Sequence, residues 1–258
     1  EALSNEISPH TSSQCWPGST FAAPLGVSIT AAGTVMDPVA IAAGDLNADG
    51  IQDLVLAGTI ASANDGVAIV LGAGANGRGN GTFTRGATYN GTYSNRTIGE
   101  PKDLVLIDMT LRDSATPANF VKRQDGILDI AVVADHIDAN GVHTGTLFVF
   151  SGVGTNGRGT GAFTYRSWRT VDARAGKTDS RPRALVAADF NEDNEMDFAV
   201  AAYGANEVVV FLTPFTSTSA RNYYERANSG PVDLAAGDFD ADDILDLAVL
   251  NQTAMTVE

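Results

Sequence analysis

The residues of this chain best placed to do chemistry are acids at a fixed spacing. In DLNADGIQD at 45–53, Asp45, Asn47, Asp49 and Asp53 occupy positions 1, 3, 5 and 9, with Gly50 at position 6. Side-chain oxygens at positions 1, 3 and 5 of a tight loop converge on one point. A glycine at 6 permits the turn, and the carbonyl of Ile51 at position 7 is free to point inward. Several hard oxygens around one centre suit Ca²⁺, which takes roughly six to eight of them. An EF-hand would need a bidentate Glu at position 12, where Leu56 stands, so the loop is expected to close a β-hairpin.

Two further copies keep the pattern. Asp189, Asn191, Asp193 and Asp197 form one, with the Glu195 carbonyl at position 7 and Asn194 at the glycine position, where Asn tolerates a positive φ. Asp238, Asp240, Asp242 and Asp246 form another, with the Ile244 carbonyl at 7 and Asp243 at 6. A fourth copy is split by a polar insertion holding Pro117. Asp108 and Thr110 open it, and Asp125, Gly126, Ile127 and Asp129 close it, with Asp113 as an alternative extra ligand. Three Ca²⁺ sites are therefore expected, with a fourth at the interrupted loop. Asp, Asn and Gly are also ordinary turn formers, but a turn does not need an acid at position 9 in every copy.

Each loop must be held between strands. A run of small apolar residues precedes it: VAIAAG at 39–44, LVLI at 104–107, ALVAA at 184–188 and VDLAAG at 232–237. A second apolar run follows, then a third rich in β-branched residues and Phe, such as GVAIVLG at 66–72 and TLFVF at 146–150. An aromatic segment ends the unit, as in GTFTRGATY at 81–89 and GAFTYRSW at 161–168. Short apolar runs bounded by Gly, Asn and Asp read as strands. Four antiparallel strands per unit predict an all-β chain, a β-propeller of four-stranded blades.

The last unit lacks a fourth strand, and GSTFAAPLGVSIT at 18–30 resembles one. The expected organisation is an N-terminal tail at 1–16 and one propeller domain over 17–258. Its four blades are 37–97, 98–175, 181–228, and 229–258 completed by 17–32. The alternative is a fragment of a larger propeller. Ala- and Gly-rich innermost strands favour the small ring, where bulky side chains would overpack the axis.

The loops carry a family resemblance. The D-x-[DN]-x-D-G-x-x-D loop between apolar strands resembles the FG-GAP and VCBS repeats of integrin-α-like β-propellers, and LVLAGTIASANDGVAIVLG at 54–72 looks like their strand–loop–strand core. The likeness covers about 37–258. The literal Phe-Gly and Gly-Ala-Pro tags are absent, with Tyr203-Gly204-Ala205 the nearest approach. The resemblance implies a secreted or cell-surface propeller stabilised by calcium, a ligand-binding or adhesive module that is sometimes attached to an enzyme.

Composition narrows the partners. A net charge of −15 is repelled by phosphate backbones and anionic membrane surfaces, so nucleic acid is not an expected partner. No apolar run is long enough to span a bilayer, so membrane insertion is not expected. Glu1 is followed by no charged and apolar leader, which reads as a processed or trimmed start. Cys15 is the only cysteine, which excludes an intramolecular disulfide and a CxxC centre. GAGANGRGNGTF at 72–83 and GVGTNGRGTGAF at 152–163 lack the residues of a phosphate loop and read as hairpin tips. Asn80, Asn90, Asn95 and Asn251 head N-x-[ST] sequons.

No serine sits in a nucleophile elbow, so a non-catalytic module that binds a glycan or a protein is expected. A secreted carbohydrate-acting enzyme and a purely structural repeat are the alternatives. Loops of a four-stranded meander alternate between faces. The calcium loops then share a face with the glycine-rich tips, and the opposite face carries Asn64, His136, Asp138, His143, Tyr203 and Asn251. These are the candidate ligand contacts, with Arg181 and Arg183 nearby. A zinc site at His136 and His143 with Asp135 and Asp138 is weighed against a solvated loop, and the loop is preferred.

Overall fold

The computed structural model describes residues 36–60, 64–93, 96–109, 124–138, 140–171, 179–213, 222–227 and 229–258. The segments 1–16 and 17–32, the sequon at Asn95, and Thr110 and Asp113 lie outside these described residues.

The chain is all-β, and each expected apolar run is a strand of an antiparallel meander. The first sheet holds β1 (Met36–Gly44), β2 (Asp53–Ile60), β3 (Asn64–Ala75) and β4 (Arg78–Asn90) in that order. A short ribbon of β5 (Thr92–Tyr93) and β6 (Arg96–Thr97) follows. The second sheet holds β7 (Glu100–Ile107), β8 (Asp129–Ile137), β9 (His143–Thr155) and β10 (Arg158–Thr170). The third holds β11 (Pro182–Ala188), β12 (Asp197–Ala202), β13 (Glu207–Phe211) and β14 (Asn222–Arg226), with a 3₁₀ turn at Tyr203–Ala205. The fourth has three strands among the described residues: β15 (Pro231–Gly237), β16 (Asp246–Asn251) and β17 (Thr256–Val257).

The first strands of successive sheets adjoin one another in chain order, β1 on β7, β7 on β11 and β11 on β15. Among the described strands, those of the fourth sheet make no extensive contact with those of the first, and no closed ring forms among them.

Burial explains the strand sequences. Side chains alternate between the faces of a sheet, so a strand covered on both faces must be apolar throughout. The second sheet is covered on both. Ile130, Val132, Phe148 and Phe150 pack with Val55, Val67 and Ile69 of the first sheet. Val133, Leu147 and Val149 pack with Phe198, Val200, Val209 and Phe211 of the third. Ala199 and Val208 of the third sheet meet Val249 of the fourth. Phe148, Phe150, Phe198 and Phe211 are wholly buried, each contributing about 1.5–3 kcal/mol of transfer free energy. Large exposed apolar side chains gather at the two ends of the array: Val39 and Ile41 on β1, and Leu250 and Val257 on the fourth sheet.

Each first strand carries a proline within its first three residues. Pro38, Pro101, Pro182 and Pro231 stand seven residues before Asp45, Asp108, Asp189 and Asp238. Each is followed by a shift of register against the second strand. A proline has no N–H to give to a ladder, so it is tolerated at a strand start or a bulge.

Candidate metal-binding loops and the opposite face

The four acidic loops join first strands to second strands, and their backbones repeat. In the first, the Asp49 N–H lies 3.1 Å from both Asp45 Oδ1 and Asn47 Oδ1, so the oxygens of positions 1 and 3 converge on the amide of position 5. Gly50 N–H donates to Asp45 Oδ2, and Ile51 N–H donates to Asp49 Oδ1. The third loop repeats these bonds, with Asp193 N–H 3.0 Å from both Asp189 Oδ1 and Asn191 Oδ1. Asn194 N–H then donates to Asp189, and Glu195 N–H to Asp193 Oδ1. In the fourth, Asp238 accepts from Ala241, Asp242 and Asp243, and Asp242 accepts from Ile244. Carboxylate oxygens of Asp238, Asp240 and Asp246 lie within 4.8 Å of one another.

The split loop rebuilds the same pattern across its insertion. Asp108 accepts from Asp125 N–H at 3.2 Å and Gly126 N–H at 2.8 Å, and Asp125 Oδ1 accepts from Ile127 N–H.

Position 6 takes the left-handed conformation in every copy, at Gly50, Gly126, Asn194 and Asp243. Position 4 does so as well in three, at Ala48, Glu192 and Ala241, which is strained for a residue with a Cβ.

The acid at position 9 plays a part that spacing alone does not reveal. Asp53 is wholly buried, with Oδ2 accepting from Leu46 N–H and Oδ1 from Gly72 N–H at the far end of β3. Asp129 accepts from Met109 and Gly152, and Asp197 from Phe190 and Thr213. Asp246 keeps the first of these bonds, from Phe239. Asp53, Asp129 and Asp197 therefore tie their own loops to the third strand of the sheet or the residues just past it. Burial raises the pKa of Asp53 and Asp108 and pushes Asp129 and Asp197 up to about 6. The backbone donors pull the other way.

The donors of these loops are hard oxygens, with neither sulfur nor imidazole, which suits Ca²⁺ and disfavours zinc or copper. Ile51 and Ile127 at position 7 are buried, as is Glu195, while Ile244 is half exposed.

The glycine-rich segments are hairpin turns on the same face as the loops. Asn76–Gly77 and Asn156–Gly157 are two-residue turns with positive φ at both positions. A Cβ placed on Gly50 would lie 3.1 Å from Gly77 Cα, and one on Gly126 equally close to Gly157 Cα.

The other face carries most of the candidate ligand contacts. His143 Nδ1 pairs with Asp135 Oδ2 at 2.6 Å, and Asp135 is buried with its Oδ1 left unpartnered. His136 and Asp138 are exposed beside it. Asp138 accepts from Asn140 and Val142 N–H groups, and these bonds lower its pKa. Ser180 N–H donates to the His143 carbonyl and Gly204 N–H to the Ser180 carbonyl, which brings the loop of the second sheet against the turn of the third. There the Arg183 guanidinium lies 5.1 Å from the Tyr203 ring centre, and Arg181 pairs with Asp179.

Asn251 does not join this surface. It is wholly buried with neither amide atom partnered, which also removes its sequon from solvent. Asn64 opens β3, paired with Ile60 of β2. Asp135 and Ser180 are the polar residues that the sequence alone did not single out as ligand contacts. Their signal lay in the cross-strand diagonal between Asp135 and His143.

No protein-family model matches the chain, and no curated protein matches it.

Proposed function

We propose that this chain is a secreted or cell-surface, calcium-stabilised β-propeller module that binds a glycan or protein ligand without catalysing a reaction. The four sheets are its blades, and residues 17–32 supply the missing strand of the fourth. One observation carries the reading: four loops of the same backbone geometry gather side-chain oxygens on one face. The resemblance to FG-GAP and VCBS repeats supports it.

Asp45, Asn47, Asp49 and Asp53 would hold Ca²⁺ in the first loop, with the Ile51 carbonyl. Asp189, Asn191, Asp193, Glu195 and Asp197 would do so in the third, and Asp238, Asp240, Asp242, Ile244 and Asp246 in the fourth. Asp108, Asp125, Ile127 and Asp129 make the split site, to which Thr110 is a candidate addition. The ion would neutralise carboxylates that otherwise repel one another and would hold the loops from the face away from the ligand. The ligand docks on the face of His136, Asp138, His143 and Tyr203.

Thermal melting with chelator, Ca²⁺ and Mg²⁺ tests the metal. Occupancy at a hundredfold excess over Kd adds about 2.7 kcal/mol per site, so melting should fall in EGTA and recover with Ca²⁺ more than with Mg²⁺. An unchanged melting temperature in a metal-free sample removes the calcium reading. Arrays of glycans and proteins test the ligand. His136→Ala and Tyr203→Ala should weaken the binding found there with little change in melting.

The Asp135–His143 pair favours a second reading, a carbohydrate-acting enzyme. A buried carboxylate that orients a largely buried imidazole is an arrangement used in general base catalysis. Turnover of a chromogenic glycoside or a polysaccharide, lost in His143→Ala, would establish it.

A further inference from the structure

The second sheet reaches over the first metal loop. Gly161 N–H at the start of the β10 arm donates to the Leu46 carbonyl at 2.9 Å. A Cβ on Gly161 would lie 3.6 Å from Asn47 Cβ, and one on Gly159 would lie 2.2 Å from the Leu46 carbonyl oxygen. Leu46 and Asn47 are positions 2 and 3 of the loop, and the N–H of Leu46 is the one held by Asp53. The backbone of position 2 is thus fixed from both sides, by Asp53 within its own sheet and by the hairpin of the next. Leu46 is 3% exposed, whereas Phe239 at the same position of the fourth loop is 62% exposed and has no such cover among the described residues.

We propose that the Gly159–Gly161 segment is a positioning element for the first metal loop, so that ion binding at 45–53 and docking of the second sheet on the first reinforce one another. This rests on the calcium reading above. A loop whose position-2 carbonyl and position-3 Cβ are already placed loses less freedom when an ion binds. Coupling of this kind is reciprocal: if the hairpin strengthens the ion, the ion strengthens the hairpin contact by the same factor.

Gly159→Ala isolates the contact. Gly159 is not in the left-handed region, so the added methyl acts through the Leu46 carbonyl and not through backbone strain. Gly79 is the matching residue of the first sheet's hairpin, and its Cβ would meet only Ile51 Cγ2 at 3.2 Å and the Ala73 carbonyl at 4.0 Å. Gly79→Ala is therefore the control.

Calcium titrations of the full chain, followed by amide NMR, read the loops separately through Gly50 and Asn194. Gly159→Ala should weaken binding at Gly50 by about fivefold or more, at the lower end of couplings between sites, and leave Asn194 unchanged. Gly79→Ala, which leaves the Leu46 carbonyl untouched but crowds the Ile51 side chain, should weaken binding at Gly50 less than Gly159→Ala does and leave Asn194 unchanged. In the parent chain, Ca²⁺ should slow hydrogen exchange at Gly161, a measurement that stands even if the variant does not fold.

Equal affinities at Gly50 in parent and Gly159→Ala, or exchange at Gly161 indifferent to Ca²⁺ while Gly50 responds, overturns the coupling. No calcium response at either loop of the parent overturns the calcium reading itself.

Discussion

Replacing Asp53 and Asp49 by alanine, one at a time, separates the two roles within a single loop. Asp53 accepts two buried backbone N–H groups, at 2.9 Å from Leu46 and 2.7 Å from Gly72. Asp53→Ala leaves both without an acceptor, and each such orphan costs about 1–3 kcal/mol. Burial of the carboxylate is itself unfavourable, as its raised pKa records, so part of the loss is offset. A destabilisation of about 3 kcal/mol is expected already in EGTA, and a larger one in Ca²⁺, because Asp53 is also a proposed ligand. Asp49 is exposed and accepts from Ile51 N–H and Asn47 Nδ2, bonds that water can replace. Asp49→Ala should cost under about 1 kcal/mol in EGTA. In saturating Ca²⁺ it should cost more, approaching the roughly 2.7 kcal/mol that a site adds at a hundredfold excess over Kd. Urea denaturation of the parent and both variants, in EGTA and in Ca²⁺, supplies the four differences. Equal losses for the two variants in EGTA, or a loss below about 1 kcal/mol for Asp53→Ala there, would refute the clamp role of Asp53.

Three further outcomes are expected. The metal-free chain should lose stability as pH rises. Asp129 has a folded pKa of about 6 against 3.8 unfolded, so its contribution is full below the unfolded value and fades as pH passes the folded one. Between about pH 5 and 7.5 that is on the order of 1 kcal/mol, with Asp197 acting in the same direction, and calcium should abolish the dependence. A metal-free stability curve that rises over this range would contradict the burial of these acids. Asp103 Oδ2 accepts from Leu185 N–H at 2.8 Å, tying the second sheet to the third, and Asp103→Ala should cost about 1–3 kcal/mol by equilibrium denaturation. If residues 17–32 complete the fourth sheet as proposed, deleting residues 1–32 should cause aggregation or unfolding, and a truncated chain that melts like the parent would overturn that completion.

Much of the fold was legible because its units repeat. Strand order and the meander followed from apolar runs separated by turn residues, and the left-handed position 6 followed from Gly50 and Asn194. The left-handed Ala48, Glu192 and Ala241 were not legible, since no local preference asks for a Cβ there. The spacing marked Asp53 as an oxygen donor, but its hold on Gly72 depends on a register nineteen residues away. Pro38, Pro101, Pro182 and Pro231 were a second fourfold signal in the sequence, and their meaning became clear only once each was found at a shift of register. Asn251 looked like a surface residue of a turn. It belongs instead to the interior of the fourth sheet, because it ends β16 opposite Pro231.

The split loop has a consequence for how this chain can be re-engineered. Asp108 and Asp125 carry the bonds that Asp45 and Asp49 carry, although the first pair is separated by seventeen residues and the second by four. Closure entropy grows only logarithmically with length, so two doublings of the loop cost about 1.2 kcal/mol. The second loop is therefore a two-part clasp, with halves that find each other without a short tether. A peptide, a tag or a whole domain inserted between them lengthens a segment that the clasp already tolerates.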